Sequence, residues 1–181
     1  MLITTKFGPQ LLSSTMPLFS AANQAGVTTS AGLSTTAKGI ILYNPIGSTV
    51  NLVLKKVGYA FTVAFAAASA IGLAVGYNGS SAPSSTTALT PMSNFVGSTN
   101  TGQGVAYSAA TLPTAPVVAI LFGTGDTGAI TTVPGDAQQF IDLEGEIILP
   151  PGAYAMLYTS TASGTSGCQA SMEWYEVPVA S

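Results

Sequence analysis

The chain reads as all-β: a β-sandwich, a jelly roll of about eight strands, preceded by an extended N-terminal arm. Three observations lead there. No stretch of the 181 residues sustains a 3.6-residue apolar period. Short apolar or alternating runs recur throughout, separated by clusters of Gly, Pro, Asn, Ser and Thr. Roughly eight to ten such runs, some with long connections, suit two packed sheets rather than helices.

Residues 1–37 are rich in Ser, Thr, Ala and Gly with scattered apolar residues, among them Leu11, Leu12, Leu18 and Phe19. This composition predicts an arm that docks on its own sandwich or on a neighbour and is mobile when alone. The jelly-roll domain is expected over 38–181, with no internal repeat and no second-domain boundary.

Gly39–Tyr43 is a buried-strand run closed by Asn44-Pro45 and Gly47-Ser48, which is turn chemistry. Val50–Lys56 follows as a second strand. From Val57 the large residues fall on odd positions (Tyr59, Phe61, Val63, Phe65) and the small ones on even positions. The alternation resumes at Ile71, Leu73, Val75 and Tyr77 after the small run Ala66–Ser69. A period of two predicts two strands joined by a bend. That matters because Val57–Tyr77 is uncharged, long enough to span a bilayer, and carries Gly72 and Gly76 at GxxxG spacing. A helix would spread its large side chains around the whole circumference, so the membrane-span reading is set aside. The start is equally unlike a signal peptide, with one Lys and interruptions at Pro9 and Pro17.

Asn78–Pro91 reads as a long neutral loop. Weak strand signals follow at Asn94–Val96 and Val105–Tyr107. Pro116–Phe122 is a continuous apolar strand, and Gly123–Asp126 a turn. Ala129–Val133, Gln139–Leu143 and Glu146–Leu149 are short strands. Pro150-Pro151-Gly152 is a stiff turn into Tyr154–Tyr158. In the last strand, Cys168–Val177, one face holds Cys168, Ala170, Met172 and Trp174, and Trp174 is the expected core anchor.

Charge narrows the function. Only 6% of residues are charged, with four Lys, no Arg, no His, seven acids and a net charge of −3. Without His the usual general base and commonest metal ligand are missing. Without Arg there are no bidentate phosphate clamps. A net negative chain is a poor partner for nucleic acid. Cys168 is the single cysteine, which excludes an internal disulfide and a multi-cysteine zinc site. The 45 Leu, Ile, Val and Phe still suffice for a core, and 42 Ser and Thr supply a neutral hydroxyl surface. A surface with so little self-repulsion favours association.

The charges are also segregated. Lys6, Lys38, Lys55 and Lys56 precede residue 57, and all acids lie from Asp126 onward. This predicts that a basic part of one subunit meets an acidic part of another.

Candidate chemistry is thin. Asp142, Glu144 and Glu146 alternate, so a strand would set them on one face. Such acids suit a glycosidase pair or an oxygen-ligand calcium site, yet they fit an exposed strand end better, and no EF-hand spacing is present. Ser80 and Ser81 lack a base. Gly123–Gly128 is Gly-rich but lacks the P-loop lysine. Cys168 is expected inward and inert. Tyr43, Tyr59, Tyr77, Tyr107, Tyr154, Tyr158 and Tyr175 are expected in core or interface packing. The reading is therefore not an enzyme, with no catalytic, cofactor-binding or metal residues and no cofactor.

The run Gly39-Ile40-Ile41-Leu42-Tyr43-Asn44-Pro45 through Asn51–Gly58, the segment Ile147-Ile148-Leu149-Pro150-Pro151-Gly152 with Tyr154, and the terminal Trp174-Tyr175-Glu176-Val177-Pro178 together resemble jelly-roll virion structural proteins of tailed bacteriophages, of the capsid decoration (cement) type. The resemblance spans about residues 38–178 and leaves the arm unmatched. It implies a homotrimer on the outer capsid surface of a virion assembled in the host cytoplasm. There it would clamp neighbouring major capsid proteins, its partners besides itself, with no role for nucleic acid or membrane. Two other readings stand beside it: a tail or fibre module that recognises host-surface glycans through loops such as 78–91, and a carboxylate-dependent glycan hydrolase using Asp142, Glu144 and Glu146.

Overall fold

The structure, a computed structural model, describes residues 17–125 and 138–179. Among these residues there are eleven strands and no helix: β1 Leu18–Ala22, β2 Thr36–Tyr43, β3 Val50–Phe61, β4 Ser69–Tyr77, β5 Ser84–Leu89, β6 Met92–Ser93, β7 Val105–Thr111, β8 Val117–Gly125, β9 Gln138–Leu149, β10 Ala153–Thr159 and β11 Cys168–Pro178. They form two antiparallel sheets, a first in the order β6-β1-β11-β3-β9 and a second in the order β5-β7-β2-β10-β4-β8. The all-β sandwich expected from the period-two runs is the observed architecture.

One core fills the space between the sheets. From the first sheet it takes Phe19, Leu52, Leu54, Val57, Phe61, Met172 and Trp174; from the second, Ile40, Leu42, Ile71, Leu73, Ala155 and Leu157. Burying each of the larger side chains stabilises the fold by about 1.5–3 kcal/mol. A smaller cluster lies on the outer face of the second sheet, built from Ile41, Tyr43, Ala74, Leu112, Tyr154 and Met156. β7 and β8 are separated in the sheet by β2, β10 and β4, so their connection must cross that face. Tyr154 fastens it, donating its hydroxyl to the Thr114 carbonyl at 2.6 Å.

Several boundaries differ from the sequence expectation, each for a physical reason. The expected strands at 50–56 and 57–65 are one strand, β3. Its inward residues are Leu52 and Leu54 before the lysine pair and Val57, Tyr59 and Phe61 after it. The phase shifts because Lys55 is an extra residue: Leu54 pairs with Trp174 and Lys56 with Glu173. This bulge turns both lysines away from the core, so a change of parity within one strand looked like two strands. Phe65 lies beyond β3 yet remains buried against Phe61, with ring centroids 4.6 Å apart.

The expected loop 78–91 contains an edge strand, β5, whose Ser and Thr residues are exposed on an edge paired only to β7. Asn94–Val96 is a turn, and no turn forms at Gly123–Gly125, which belong to β8. The short strands expected at 139–143 and 146–149 are one strand, β9. The expected strand 129–133 and Asp126 lie outside the described residues.

The arm expected over 1–37 divides. Residues 1–16 lie outside the described residues. Leu18–Ala22 is β1, paired to both β11 and β6, and Thr36 and Ala37 open β2. Between them, buried hydroxyls fix the chain. Thr29 Oγ1 accepts the Ser163 N–H at 2.8 Å and the Thr159 hydroxyl at 2.8 Å, while Ser163 Oγ accepts the Thr29 N–H at 3.0 Å. Ser and Thr here act as tertiary cross-links, which is why a stretch of arm-like composition is built into the sandwich.

Gly72 and Gly76 serve the sheet rather than a helix dimer. A Cβ on Gly72 would stand 2.3 Å from the Ile120 carbonyl oxygen of β8, and one on Gly76 would strike the Tyr154 ring. Among the described residues no helix is long and apolar enough to cross a membrane.

Candidate functional site

The acid run Asp142–Glu146 does not form a regular strand face. Against β3, Leu54 pairs with Ile147 and Lys56 with Asp142, so four residues of β9 stand opposite Lys55 alone. The excess is absorbed by positive φ at Glu144 (50°) and Gly145 (83°), and Asp142 Oδ1 accepts the Glu144 N–H at 2.9 Å. Asp142, Glu144 and Glu146 are all exposed around this excursion, while Leu143 between them is buried in the core. Among the described residues no group of three His, Cys, Asp or Glu side chains is placed to hold a metal ion.

The segregated charges become cross-strand neighbours within one chain. The registers set Lys56 between Glu173 of β11 and Asp142 of β9 in a cross-strand row. Lys56 Nζ also stands 5.6 Å from the Phe140 ring centroid, and Lys55 Nζ stands 5.8 Å from that of Tyr175. The Tyr175 hydroxyl is pushed above its ordinary value by burial first, then by Glu173 and Asp142, against an opposing pull from Lys56.

Among the described residues one acid is internal. Glu176 is 5% exposed. Its Oε1 accepts the backbone N–H groups of Gln103 and Gly104, each at 2.8 Å, and Oε2 accepts Gln103 N–H at 3.0 Å. The Trp174 indole N–H lies 3.4 Å from Oε1. The carboxylate therefore ties the β6–β7 connection to the last strand with backbone and indole donors. Close approach requires glycine on both sides of Gln103: a Cβ on Gly102 would stand 2.6 Å from Glu176 Oε1, and one on Gly104 2.9 Å from the Trp174 indole nitrogen. Sequence reasoning passed over Glu176, although its parity with Cys168, Ala170, Met172 and Trp174 placed it on the inward face.

Cys168 is fully buried, and burial pushes its thiol up to about 12. The thiol stays protonated in the fold, so its share of stability is intact below the ordinary thiol range and declines as pH climbs through that range toward 12. Native protein at pH 8 is expected to resist iodoacetamide, and protein unfolded in guanidinium to take one equivalent, as read by intact mass. Labelling of the native state at the unfolded rate would contradict the burial.

Tyr43, Tyr59 and Tyr154 are buried as expected, whereas Tyr77 is 62% exposed at the end of β4. Ser80 and Ser81 both donate backbone N–H groups to Asn78 Oδ1, at 3.0 and 2.9 Å, in a local turn. A trough of about 550 Å³ on the outer face of the first sheet is lined by small residues, among them Gly58, Ala60 and Ser171, together with Gln139, Phe140 and Gln169. Phe140 is 73% exposed there.

No family model matches the chain, and no match was found among curated proteins or solved structures.

Proposed function

We propose that the chain is a jelly-roll structural virion protein of the capsid decoration (cement) type. It acts as a homotrimer on the outer surface of a tailed-phage head, bridges major capsid proteins and is assembled in the host cytoplasm. The observation that carries the reading is the strand order. With β5, β6 and β7 set aside as an insertion, the sheets become β1-β11-β3-β9 and β2-β10-β4-β8. That order, in which every connection crosses between sheets except the one from β4 to β8, supports a jelly-roll reading, since it is the interleaving a jelly roll requires. This architecture serves viral capsids, lectins and cupins. A chain without His is a poor cupin, since the imidazole ligands that such sites rely on are missing. The hydroxyl-rich, charge-poor composition favours many shallow contacts repeated over a lattice, where weak affinities multiply.

The test is addition of the purified protein to capsids stripped of decoration. Cosedimentation at saturating stoichiometry and a raised capsid melting temperature are expected. A monomer that leaves capsids unbound and unstabilised would sink the reading. The second reading, a glycan-binding tail or fibre module, is favoured by the trough beside Phe140, and glycan-array binding without capsid affinity would select it.

A further inference from the structure

We infer that Asn78 is a self-modification site, where attack by the next backbone nitrogen converts the side-chain amide to a carboxylate. Water is the sole co-reactant, and neither capsid binding nor self-association is involved.

Asparagine is a chemically labile side chain, and its neighbour decides how labile. Asn78 is the only one of the six asparagines followed by glycine. A side chain on the following residue crowds its nitrogen and restricts its backbone, and Gly79 does neither. Asn44, by contrast, precedes Pro45, which has no N–H to give up. Asn23 and Asn44 are also buried.

The fold supplies the setting. Asn78 directly follows β4, and its own N–H is tied to the Gly152 carbonyl at 3.0 Å, which anchors the residue on one side. Beyond it Gly79, Ser80 and Ser81 are exposed. Asn78 Oδ1 accepts the Ser80 N–H at 3.0 Å, the Ser80 hydroxyl at 3.1 Å and the Ser81 N–H at 2.9 Å. Two backbone donors identify that end of the amide as the oxygen. The turn they close encloses Gly79, so the side chain is held over the peptide with which it reacts. Among the described residues, neither the Gly79 N–H nor the Asn78 side-chain NH2 has an acceptor. Nucleophile and leaving group are both unengaged while the oxygen between them is fixed.

Water or hydroxide takes the Gly79 N–H proton, and the nitrogen bonds to Asn78 Cγ. Negative charge develops on Oδ1, where three donors already point, as in an oxyanion hole. Collapse breaks the Cγ–Nδ2 bond, and that nitrogen takes up a proton and leaves as ammonia. Water then opens the five-membered imide. Breaking the N–Cγ bond gives aspartate; breaking the bond to the main-chain carbonyl carbon gives isoaspartate, with the chain running through Cγ. Either way asparagine and water become a carboxylic acid and ammonia. The product places a charge within residues 57–125, which otherwise carry none. The aspartate keeps the turn, since a carboxylate accepts the same N–H groups more strongly, whereas isoaspartate lengthens the β4–β5 connection by one backbone atom.

The experiment incubates the full chain, folded and unfolded in guanidinium, in mildly alkaline buffer. Intact mass, anion exchange and peptide mapping follow the change. The folded chain is expected to gain about one dalton and one negative charge, mapped to Asn78 as both isomers. It should convert no more slowly than the unfolded chain, because the fixed donors offset the lost mobility. Gly79→Ala should slow conversion by about tenfold. The added methyl would stand 2.6 Å from the Tyr77 hydroxyl, the far end of an exposed side chain that can swing aside. Melting temperature confirms that the variant is folded. A folded chain that converts more than about tenfold more slowly than the unfolded one would overturn the inference. So would first modification at another asparagine, or a Gly79→Ala variant that converts at the wild-type rate.

Discussion

Replacing Trp174 with alanine is expected to lower stability by about 3–5 kcal/mol, read as a shift in the denaturant midpoint at unchanged slope. The indole is fully buried on the inward face of β11 and stacks on Phe19 with ring centroids 6.2 Å apart. It lies at the centre of the β1–β11–β3 stretch of the first sheet, paired with Phe19 on one side and Leu54 on the other. Alanine would leave a cavity that neither strand can close, because each is held in register by its ladder. The vacated space would also remove the wall against which Gly104 packs. Trp174→Phe retains one aromatic ring and loses the indole N–H and part of the ring volume, so a smaller loss of about 1–2 kcal/mol is expected. Equal losses for the two variants would show that packing is not the source of the effect.

Glu176→Ala is expected to cost about 2–4 kcal/mol, because two buried backbone N–H groups and an indole N–H lose their acceptor together. Glu176→Gln keeps an acceptor oxygen at Oε1 but forfeits the charge assistance, and about half of that loss is expected. The effect should be local as well as global. In the alanine variant, hydrogen exchange should rise first at Gln103 and Gly104, ahead of β3 and β10. A neutral change in melting temperature for both variants would show that the carboxylate does not hold the β6–β7 connection.

These two residues mark what a linear reading captures. Trp174 was legible because strand parity and side-chain size pointed the same way. Glu176 shares that parity, but its acidic type argued for the surface. What overrides type is a set of N–H donors from residues 103 and 104, more than seventy positions away, and no local pattern announces them. The lysine pair shows the same limit. Two adjacent lysines inside a strand signal a break in alternation. That the break is a bulge within one strand, and not a boundary between two, follows from the ladders that β3 makes with β9 and β11. The neutral run 78–91 read as a loop because an edge strand paired on one side carries little apolar signal. The arm misled for a similar reason, since hydroxyl residues look like linker until the buried partners Thr159 and Ser163 are placed beside them.

By itself the sequence determined the class of fold and the poverty of acid–base chemistry. Period-two alternation is a local property of the chain, and the absence of His and Arg is a matter of count. The tertiary structure decided which strands are neighbours, that Lys56 lies in register between Asp142 and Glu173, that the Glu176 carboxylate is internal, and which sheet edge is left neutral and apolar. These depend on pairings between residues far apart in the chain, where register is set by packing of two sheets at once and not by any segment alone.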